Sequence, residues 1–332
     1  MVNLSAIGGS KVFLDLLNEV SHLAKINRPV LILGERGTGK ELVAHRLHYL
    51  SNRWEHPLIS LNCGALSSEL LSGELFGHEK GAFTGAQEQR KGRIERAEGG
   101  SLFLDELATS EANFQEHLLR VLEVGEYERL GGVKVLKANV RFIAATNLSP
   151  EELYEGNVIR KDLLDRLSFA TVMMPPLRNR IDDIPLLVEH FSDKFTKEMN
   201  WDVSPVFSED ALEELSDYAW PGNIRELKNI VERSLYASEG DEVDSITWSP
   251  FSNLRHHQEP EKVPGMELSK PESSFPISIK SYLNEEEKQL MLSAYKEAKG
   301  HHKAASELLD LTYHQWRALI KKHDLKNIWH EN

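Results

Sequence analysis

The chain has 332 residues, of which 40% are apolar and 27% charged, and a formal net charge of −13. This length allows two or three domains with cores of their own. The charge argues against a protein that coats nucleic acid, although it does not exclude a small DNA-binding module at one end. We find neither an export signal nor an apolar run near the ~20 residues that span a bilayer. The single cysteine, Cys63, cannot form an internal disulfide, so we expect a cytoplasmic protein without direct membrane insertion.

Residues 29–175 alternate short apolar runs with helical stretches. The runs predicted as strands are Pro29–Gly34, Leu58–Asn62, Ser101–Asp105, Val140–Thr146 and Thr171–Met174. Because they are apolar throughout, they are typical of parallel strands that are covered on both faces. Strands that alternate with helices predict an α/β fold with a doubly wound, five-stranded parallel sheet.

The rest of the chain divides by composition. After the α/β core of residues 1–175, a helical pattern predicts a small lid within residues 176–252. Residues 253–278 contain four of the thirteen prolines and are predicted as a flexible linker. Residues 279–332 are helical again and are predicted as a separate small domain.

A phosphate-binding pattern follows the first predicted strand. The segment Gly34-Glu35-Arg36-Gly37-Thr38-Gly39-Lys40 fits G-x-x-x-x-G-K and precedes a helix. Its glycines let backbone N–H groups turn toward phosphate oxygens, and Lys40 neutralises the β- and γ-phosphates. The alternative is a plain glycine turn, which the strand–loop–helix context disfavours. We predict an ATP site formed by Gly34, Glu35, Gly37, Thr38, Gly39, Lys40 and Glu41. Glu41 stands where the general pattern has Ser or Thr, so the usual hydroxyl ligand of Mg²⁺ is missing.

Two acids end the third predicted strand. Asp105 at the strand end can hold Mg²⁺, and Glu106 is placed to orient or deprotonate the attacking water. Adjacent carboxylates are reasonable beside a metal, because its charge offsets their repulsion. Alone, such a pair is more often a helix cap. Together with the phosphate loop it predicts a nucleotide site.

The hexapeptide GAFTGA occupies Gly81, Ala82, Phe83, Thr84, Gly85 and Ala86, after Glu74-Leu75-Phe76-Gly77-His78. It resembles the signature of bacterial enhancer-binding proteins, the AAA+ activators of sigma-54 RNA polymerase, and the resemblance covers residues 1–250. Glu41 is usual in that family's phosphate loop. Because glycines and small residues flank Phe83 and Thr84, the loop can move and present both to a partner, and an exposed Phe is costly without one. The alternative is a buried aromatic in a glycine turn. We predict that residues 81–86 contact sigma-54.

The resemblance implies an AAA+ P-loop fold with a helical lid and a C-terminal Fis-like helix-turn-helix. It also implies ATP-driven remodelling of sigma-54 polymerase by a homo-oligomeric ring, a hexamer, bound to enhancer DNA. Thr146 and Asn147 resemble the family's first sensor, and Asn62 resembles the asparagine that holds Glu106 away from catalysis. The stretch Glu128–Lys134 is predicted as a second surface loop that moves with GAFTGA.

Three arginines carry over from the same resemblance. Arg160 and Arg166 resemble arginine fingers offered to the neighbouring subunit's ATP, with salt bridges to Asp162 or Asp165 as the alternative. Arg225 resembles the second sensor, which lies on the lid. Its alternative is a helix-surface arginine paired with Glu226 or Asn229.

Two short helices are predicted near the end of the chain, Lys303–Leu309 and Tyr313–Lys322, around Asp310-Leu311-Thr312. Ala304, Ala305, Leu308 and Leu309 suit the first helix's packing face, and Trp316, Leu319 and Ile320 that of the second. Thr312 can cap the second helix. The predicted DNA-binding residues are Thr312, Tyr313, His314, Gln315, Arg317, Lys321 and Lys322. A two-helix oligomerisation tail is the alternative.

Only 33 residues precede the phosphate loop, so we expect no N-terminal sensory domain of the kind most of these activators carry. This resembles the phage-shock members of the family, which implies control in trans by the inhibitor phage-shock-protein A under envelope stress. Trp54 is a candidate for the inhibitor's docking surface, and a buried packing role is equally open. The rival hypotheses are a different AAA+ machine, such as an unfoldase or clamp loader, and a passive repressor whose nucleotide only sets the oligomeric state.

Overall fold

The computed structural model describes residues 6–83, 86–238, 242–250, 279–298, 302–323 and 325. These residues fall into two compact units, one within residues 1–258 and the other within residues 259–332. In the described part of the chain, no helix is both long and apolar enough to cross a bilayer. The whole of the predicted linker, residues 253–278, lies outside the described residues. The predicted domain boundaries stay predictions.

A five-stranded sheet forms the centre of the first unit. The described strands are β1 (Val30–Leu33), β2 (Leu58–Asn62), β3 (Gly77–His78), β4 (Arg90–Lys91), β5 (Ser101–Asp105), β6 (Glu126–Glu128), β7 (Val135–Lys137), β8 (Arg141–Thr146) and β9 (Ala170–Met173). The central sheet has the order β2-β5-β8-β1-β9, and all its neighbouring strands are parallel. Each predicted strand corresponds to one strand of this sheet. The antiparallel pairs β3–β4 and β6–β7 are additional to the prediction.

Helices cover both faces of this sheet. The described helices are α1 (Lys11–Ala24), α2 (Lys40–Tyr49), α3 (Ser68–Phe76), α4 (Arg93–Arg96), α5 (Ala112–Val124), α6 (Pro150–Glu155), α7 (Lys161–Leu167), α8 (Ile184–Met199), α9 (Glu209–Asp217), α10 (Asn223–Ala237), α11 (Ile279–Glu297), α12 (His302–Leu308) and α13 (Tyr313–Lys322). Because side chains alternate along a strand, Val30 and Ile32 pack with α1 and α2, whereas Leu31 and Leu33 pack with α3, α5 and α7. Both faces of the three inner strands, β1, β5 and β8, are thus buried, as their continuous apolar runs predict. The prediction is wrong for the edge strands, since β2 exposes Ser60 and Asn62 and β9 exposes Thr171 and Met173, and an edge strand has a neighbour on one side only.

The lid consists of α8, α9 and α10 around the fully buried Trp220. The indole Nε1 of Trp220 donates to the carbonyl of Leu215 at 2.8 Å, so the buried polar atom is satisfied. Asp183, just before α8, accepts the backbone N–H groups of Gly9 and Ser10, both at 2.7 Å. These bonds tie the segment before α1 to the start of the lid.

The second unit contains α11, α12 and α13, which pack around the buried Trp316. The predicted bounds of α13 agree with the structure, and those of α12 differ by one residue at each end. The predicted packing face of α12 is partly wrong, because Ala305 is buried but Ala304 and Leu308 are exposed. A helix of two turns presents only a narrow stripe to Trp316, and these two side chains lie outside it.

Candidate functional site

The phosphate loop lies between β1 and α2, at the carboxyl ends of the parallel strands. Gly34, Gly37 and Gly39 have φ values of 152°, 78° and 94°. A side chain at Gly37 would clash with the carbonyl oxygen of Gly222 in the lid, so this position needs glycine for both its backbone and its surroundings. The loop is therefore shaped at its start, middle and end by residues that can adopt a left-handed or extended conformation.

Lys40 closes the loop on itself. Its Nζ donates to the carbonyls of Gly34 at 2.7 Å and Glu35 at 3.1 Å, and the Thr38 hydroxyl donates to the same Glu35 carbonyl at 2.9 Å. Burial lowers the pKa of Lys40, while the charges of Asp105 and Glu106 oppose that shift. The ammonium group is thus held at the loop, among backbone carbonyls that phosphate oxygens can replace as its partners.

The acid pair lies on the neighbouring part of the same sheet edge. Asp105 ends β5, and its register partner on β2 is Asn62. Burial raises the pKa of Asp105, whereas the hydrogen bond that its Oδ1 accepts from the Glu106 N–H, at 2.9 Å, lowers it. Glu106 has φ 53°, a left-handed conformation that turns the chain sharply after the strand.

The Glu106 carboxylate lies over Gly64, close to Asn62. A Cβ on Gly64 would stand only 2.5 Å from Glu106 Oε2. Asn62 Oδ1 accepts the Gly64 N–H at 2.8 Å. The sheet therefore brings Asn62, Asp105 and Glu106 to one place, as their positions at strand ends predict.

The predicted first sensor ends the strand between the acids and the phosphate loop. Thr146, the last residue of β8, is buried and pairs in register with Leu33 at the start of the loop. Its Oγ1 accepts the Leu148 N–H at 3.2 Å. Asn147, the next residue, is half-buried. Both residues lie beside the phosphate loop.

The residues at this edge fit a magnesium ion that arrives with a nucleotide. Among the described residues, no group of three or more His, Cys, Asp or Glu side chains could hold a metal ion. Mg²⁺ in proteins is commonly bound by one or two carboxylates together with substrate phosphates and water. Asp105 and Glu106 supply such carboxylates. The Thr38 hydroxyl is bonded to Glu35, and Glu41 is exposed on α2, so neither replaces the missing hydroxyl ligand.

The lid approaches the phosphate loop through the start of α10. A Cβ on Gly37 would lie 3.2 Å from the Cβ of Arg225, and the charge of Arg225 contributes to the lowered pKa of Lys40. Glu35, predicted to bind nucleotide, directs its carboxylate instead to Arg178 and Asn223. The sequence prediction does not include Arg178 or Asn223. The Gly222-Asn223 pair at the start of a helical stretch is a sequence feature that could have drawn attention to Asn223.

The two predicted arginine fingers lie on the surface around α7. Arg160 is paired with Asp162 at 2.8 Å, which is one of the alternatives that the sequence left open, and Arg166 is paired with Glu123 at 3.1 Å. Among the described residues, neither guanidinium has a hydrogen bond or ion pair with the phosphate loop of its own chain. Both are exposed and held only by surface ion pairs, which are weak.

The GAFTGA segment forms most of the loop between β3 and β4. Its ends are joined by a hydrogen bond from the Gly81 N–H to the Ala86 carbonyl at 2.8 Å. Phe83 is 43% exposed and meets the His78 ring edge-on, with the ring centroids 4.9 Å apart. Thr84 and Gly85 lie outside the described residues. A large aromatic side chain therefore stands at the surface near the tip of the loop.

The second predicted loop contacts the first. It connects β6 to β7, and a Cβ on Gly131 would lie 2.8 Å from the Cβ of Ala82. The Glu79 N–H donates to the Leu130 carbonyl at 3.0 Å. Arg129 pairs with Glu79 at 2.8 Å and with Glu95 at 2.7 Å. The two loops are thus joined by a backbone hydrogen bond and by the Arg129–Glu79 ion pair.

The predicted DNA-binding residues lie on and before α13. Thr312 and Gln315 form a capping box, since the Thr312 hydroxyl accepts the Gln315 N–H and the Gln315 side chain accepts the Thr312 N–H. The Arg317 guanidinium lies 5.9 Å from the Tyr313 ring centroid, and Lys322 pairs with Glu287 at 2.6 Å. Lys321 is exposed, and the side chain of His314 lies outside the described residues. The capping role of Thr312 agrees with the sequence prediction.

Trp54 is 56% exposed, in a turn between α2 and β2. This exposure disfavours the alternative in which Trp54 is a buried packing residue. A single exposed aromatic is common on protein surfaces, so Trp54 stays only a candidate for the inhibitor's docking surface.

A phosphate loop beside two acids at a parallel sheet edge, covered by a helical lid, defines a P-loop nucleotide-binding protein. Comparison with protein families matches residues 6–173 to the sigma-54 interaction domain and residues 178–263 to the AAA+ ATPase lid domain. The chain belongs to the family of sigma-54-dependent transcription activators and is an ATPase of the AAA+ class.

Individual relatives agree with this assignment. The chain is 49% identical over 321 residues to the Psp operon transcriptional activator of Escherichia coli (strain K12), an alignment that covers 96% of this chain and 98% of that protein. It is 46% identical over 249 residues to the Nif-specific regulatory protein of Herbaspirillum seropedicae, covering 75% of this chain and 46% of that protein. The crystal structure of NtrX from Brucella abortus in complex with ADP is similar, with a TM-score of 0.68, 29% identity, and coverage of 97% of this chain and 69% of that chain.

Proposed function

We propose that this chain forms a homo-oligomeric ring, a hexamer, that hydrolyses ATP between subunits and uses the resulting motion to remodel sigma-54 RNA polymerase. Two observations support this proposal. Lys40, Asp105 and Glu106 lie close together at one edge of the sheet, and Phe83 is exposed on a glycine-bounded loop. The first feature binds and cleaves a nucleotide, and the second offers a contact for a partner. The match to the sigma-54 interaction domain supports sigma-54 as that partner.

The residues of the sheet edge divide the work of hydrolysis. The N–H groups of the phosphate loop and the Lys40 ammonium bind the phosphates of ATP, and Asp105 would hold Mg²⁺ beside them. Such an ion would supply positive charge that offsets the phosphate oxygens. The Glu106 carboxylate orients a water and accepts its proton as the water oxygen bonds to the γ-phosphorus and the bond to the ADP oxygen breaks. NtrX has been crystallised with ATP and with ADP, which supports the nucleotide.

Other residues of the site report on its state. We assign Thr146 and Asn147 as the first sensor and Arg225 as the second, since the former lie beside the phosphate loop and the latter approaches it from the lid. Asn62 holds Glu106 in an inactive position until the ring is assembled. The close approach of Glu106 to Gly64, whose N–H is bound by Asn62, supports this role.

Arg160 and Arg166 complete the site of the neighbouring subunit. Their present partners, Asp162 and Glu123, are surface acids, and exposed ion pairs are weak because water screens them. Either guanidinium can therefore leave its partner for the γ-phosphate of a bound ATP at little cost. Hydrolysis then requires assembly, because a single subunit lacks the stabilising charge.

The loop of residues 81–86 transmits the motion to sigma-54. Phe83 and Thr84 form the contact, and Gly81 and Gly85 act as hinges. The hydrogen bonds between Glu79 and Leu130 and the ion pairs of Arg129 support a joint movement with the loop of residues 128–134.

The C-terminal unit reads enhancer DNA as a Fis-like helix-turn-helix, with α13 as the recognition helix. Asp310, in the turn before it, has φ 52°, a left-handed conformation that suits the sharp turn between two helices. Tyr313, Arg317 and Lys321 lie on exposed parts of α13, where base edges and phosphates can reach them. The similarity to the Psp operon transcriptional activator supports a role in the phage-shock response in the bacterial cytoplasm, with phage-shock-protein A as inhibitor in trans.

Transcription in vitro tests the proposal. Purified protein, sigma-54 holoenzyme and a template with enhancer and promoter should give open complexes with ATP and none with a non-hydrolysable analogue. A sigma-70 promoter on the same template serves as control and should not respond. Equal promoter opening without any nucleoside triphosphate would contradict the proposal and favour a protein whose nucleotide only sets its oligomeric state.

A further inference from the structure

The first residue of the lid helix α10 has an unusual backbone and a fully enclosed side chain. Asn223 has φ 53°, a left-handed conformation that is rare outside glycine, and its exposed fraction is 0%. Asparagine tolerates this conformation better than most residues, although glycine would adopt it at lower cost. The backbone alone therefore does not require an amide side chain here, and the amide must be explained by its contacts.

The Asn223 amide joins three segments of the chain. Its Oδ1 accepts the Leu177 N–H at 2.8 Å, in the connection from the sheet to the lid. Its Nδ2 donates to Glu35 Oε2 at 3.1 Å and to the Arg36 carbonyl at 3.0 Å, both in the phosphate loop. The next residue, Ile224, donates its N–H to the Gly37 carbonyl at 3.0 Å. Three consecutive loop residues are thus bonded to the first two residues of α10.

Glu35 is bound from two sides. Arg178, in the connection between β9 and α8, donates to both of its carboxylate oxygens, at 2.9 Å and 2.5 Å. The hydrogen bond from Arg178, helped by that from Asn223, lowers the pKa of Glu35 to about 2. Glu35 is therefore ionised at any pH at which the protein works, and its bonds to the lid are charge-assisted.

This arrangement couples the phosphate loop to the second sensor. Arg225 lies two residues after Asn223 on α10, so a shift of the start of this helix moves the Arg225 side chain relative to the loop. We propose that Asn223, acting with Glu35 and Arg178, is a positioning residue that fixes α10 against the phosphate loop and so places Arg225 for hydrolysis. This inference rests on the proposed function, because it assumes that the loop binds ATP and that Arg225 acts on it.

The substitution Asn223→Gly tests the amide separately from the backbone, because glycine keeps φ 53° and removes all three side-chain hydrogen bonds. We expect ATP affinity within about threefold of wild type, since the loop's own N–H groups and Lys40 remain. Turnover should fall about 10- to 100-fold, as expected for the loss of hydrogen bonds that include a charged partner. Turnover within twofold of wild type would overturn the inference. So would a loss of affinity as large as the loss of turnover.

Three further variants provide the control and the rescue. Asn200 also has a left-handed backbone, with φ 54°, but ends α8 and is exposed, so Asn200→Gly should leave affinity and turnover unchanged. Asn223→Asp places a second carboxylate against Glu35 and should lower turnover at least as much as Asn223→Gly. Adding Glu35→Gln removes the repulsion and supplies an amide donor, so the double variant should recover turnover by about tenfold, a coupling expected only for groups in contact. No recovery would contradict the proposed contact.

A second variant and the wild-type ATPase assay separate this inference from a folding defect and from the proposed function. If Asn223→Gly is too unstable to assay, the exposed Arg178→Gln removes the other ligand of Glu35 and should lower turnover in the same direction at unchanged affinity. A fully active Arg178→Gln variant would then overturn the inference. Absence of ATP hydrolysis by the wild-type chain would instead contradict the proposed function.

Discussion

The nucleotide edge of the sheet and the GAFTGA loop are built in opposite ways. At the edge, Asn62, Asp105 and Thr146 end strands and Lys40 begins a helix, and the sheet register fixes neighbours such as Asn62 and Asp105. In the loop, Phe83 is held by one hydrogen-bonded turn and one ring contact. Chemistry at a phosphorus atom needs positions fixed to fractions of an ångström, whereas a contact that must move cannot be so fixed.

Electrostatics differ in the same way between these two regions. Burial shifts the pKa of Lys40 down and that of Asp105 up, so the edge holds charges that water screens poorly. The loop tip presents an apolar ring at the surface. We therefore expect substitutions at the edge to act on hydrolysis and substitutions at the tip to act on transcription alone.

The largest expected effect is a loss of ATP turnover on substitution of the two predicted arginine fingers. It would show that the catalytic site includes residues of a second subunit. Arg160→Ala and Arg166→Ala should each lower ATP turnover by about 10³–10⁵-fold, because a finger that stabilises the transition-state charge is worth that much. Arg120→Ala, an exposed arginine on α5, is the matched control and should be near wild type.

Mixing experiments decide whether these arginines act in trans. Arg166→Ala subunits keep their phosphate loop, whereas Lys40→Ala subunits should lose ATP binding but keep their arginines. A mixture of the two should therefore hydrolyse ATP faster than either alone. Failure of both mixtures, with Arg160→Ala and with Arg166→Ala, would place the arginines outside the site.

The next effect concerns the edge within one chain. Glu106→Ala should bind ATP with nearly wild-type affinity and hydrolyse it about 10²–10⁴-fold more slowly, as expected when a general base is removed. Equilibrium binding of a fluorescent ATP analogue and a phosphate-release assay measure the two quantities. Glu189→Ala, an exposed acid on α8, is the control. Near-normal turnover of Glu106→Ala would remove this residue from the mechanism.

At the loop tip the expected effect on hydrolysis is small. Phe83→Ala and Thr84→Ala should keep ATP turnover within about twofold and lose activation of a sigma-54 promoter, because side chains at a loop tip contribute little to the fold. Val203→Ala, an exposed apolar residue before α9, should keep both activities. Normal activation by the Thr84 and Phe83 variants would show that the loop is not the contact.

The sequence predicts the edge well because strand ends are local features. An apolar run followed by Asp105-Glu106, and another followed by a glycine-rich loop, place their residues without knowledge of the rest of the chain, since parallel strands end at one edge. The five strands and the nucleotide site follow from this. The family resemblance then supplies the arginines and the contact loop, which no local pattern distinguishes from surface residues.

The contacts that the sequence does not predict join distant segments. Asn223 bonds to Glu35 across 188 positions, and no periodicity or spacing indicates this contact. The family resemblance does associate residues 128–134 with GAFTGA, but it gives no individual contact such as that of Gly131 with Ala82. On α12, Leu308 fits an apolar stripe but is 54% exposed, because a helix of seven residues cannot bury all its apolar side chains.

The smallest expected effect is the pH dependence of stability that the Glu35–Arg178 ion pair causes at the nucleotide edge. The pKa of Glu35, lowered to about 2 by Arg178 first of all, lies below the ordinary value of about 4.3 that it regains on unfolding. The Glu35–Arg178 pair therefore stabilises the fold fully above about pH 4.5, and that stabilisation is lost as pH falls toward 2. Because both side chains are nearly half exposed, we expect no more than about 1 kcal/mol. Urea unfolding of wild type and Arg178→Ala should differ by a constant amount from pH 5 to 8, and the difference should shrink as the pH falls from about 4.5 toward 2. Arg120→Ala should show no such convergence, and a pH-independent difference for Arg178→Ala would mean that Glu35 is not its partner.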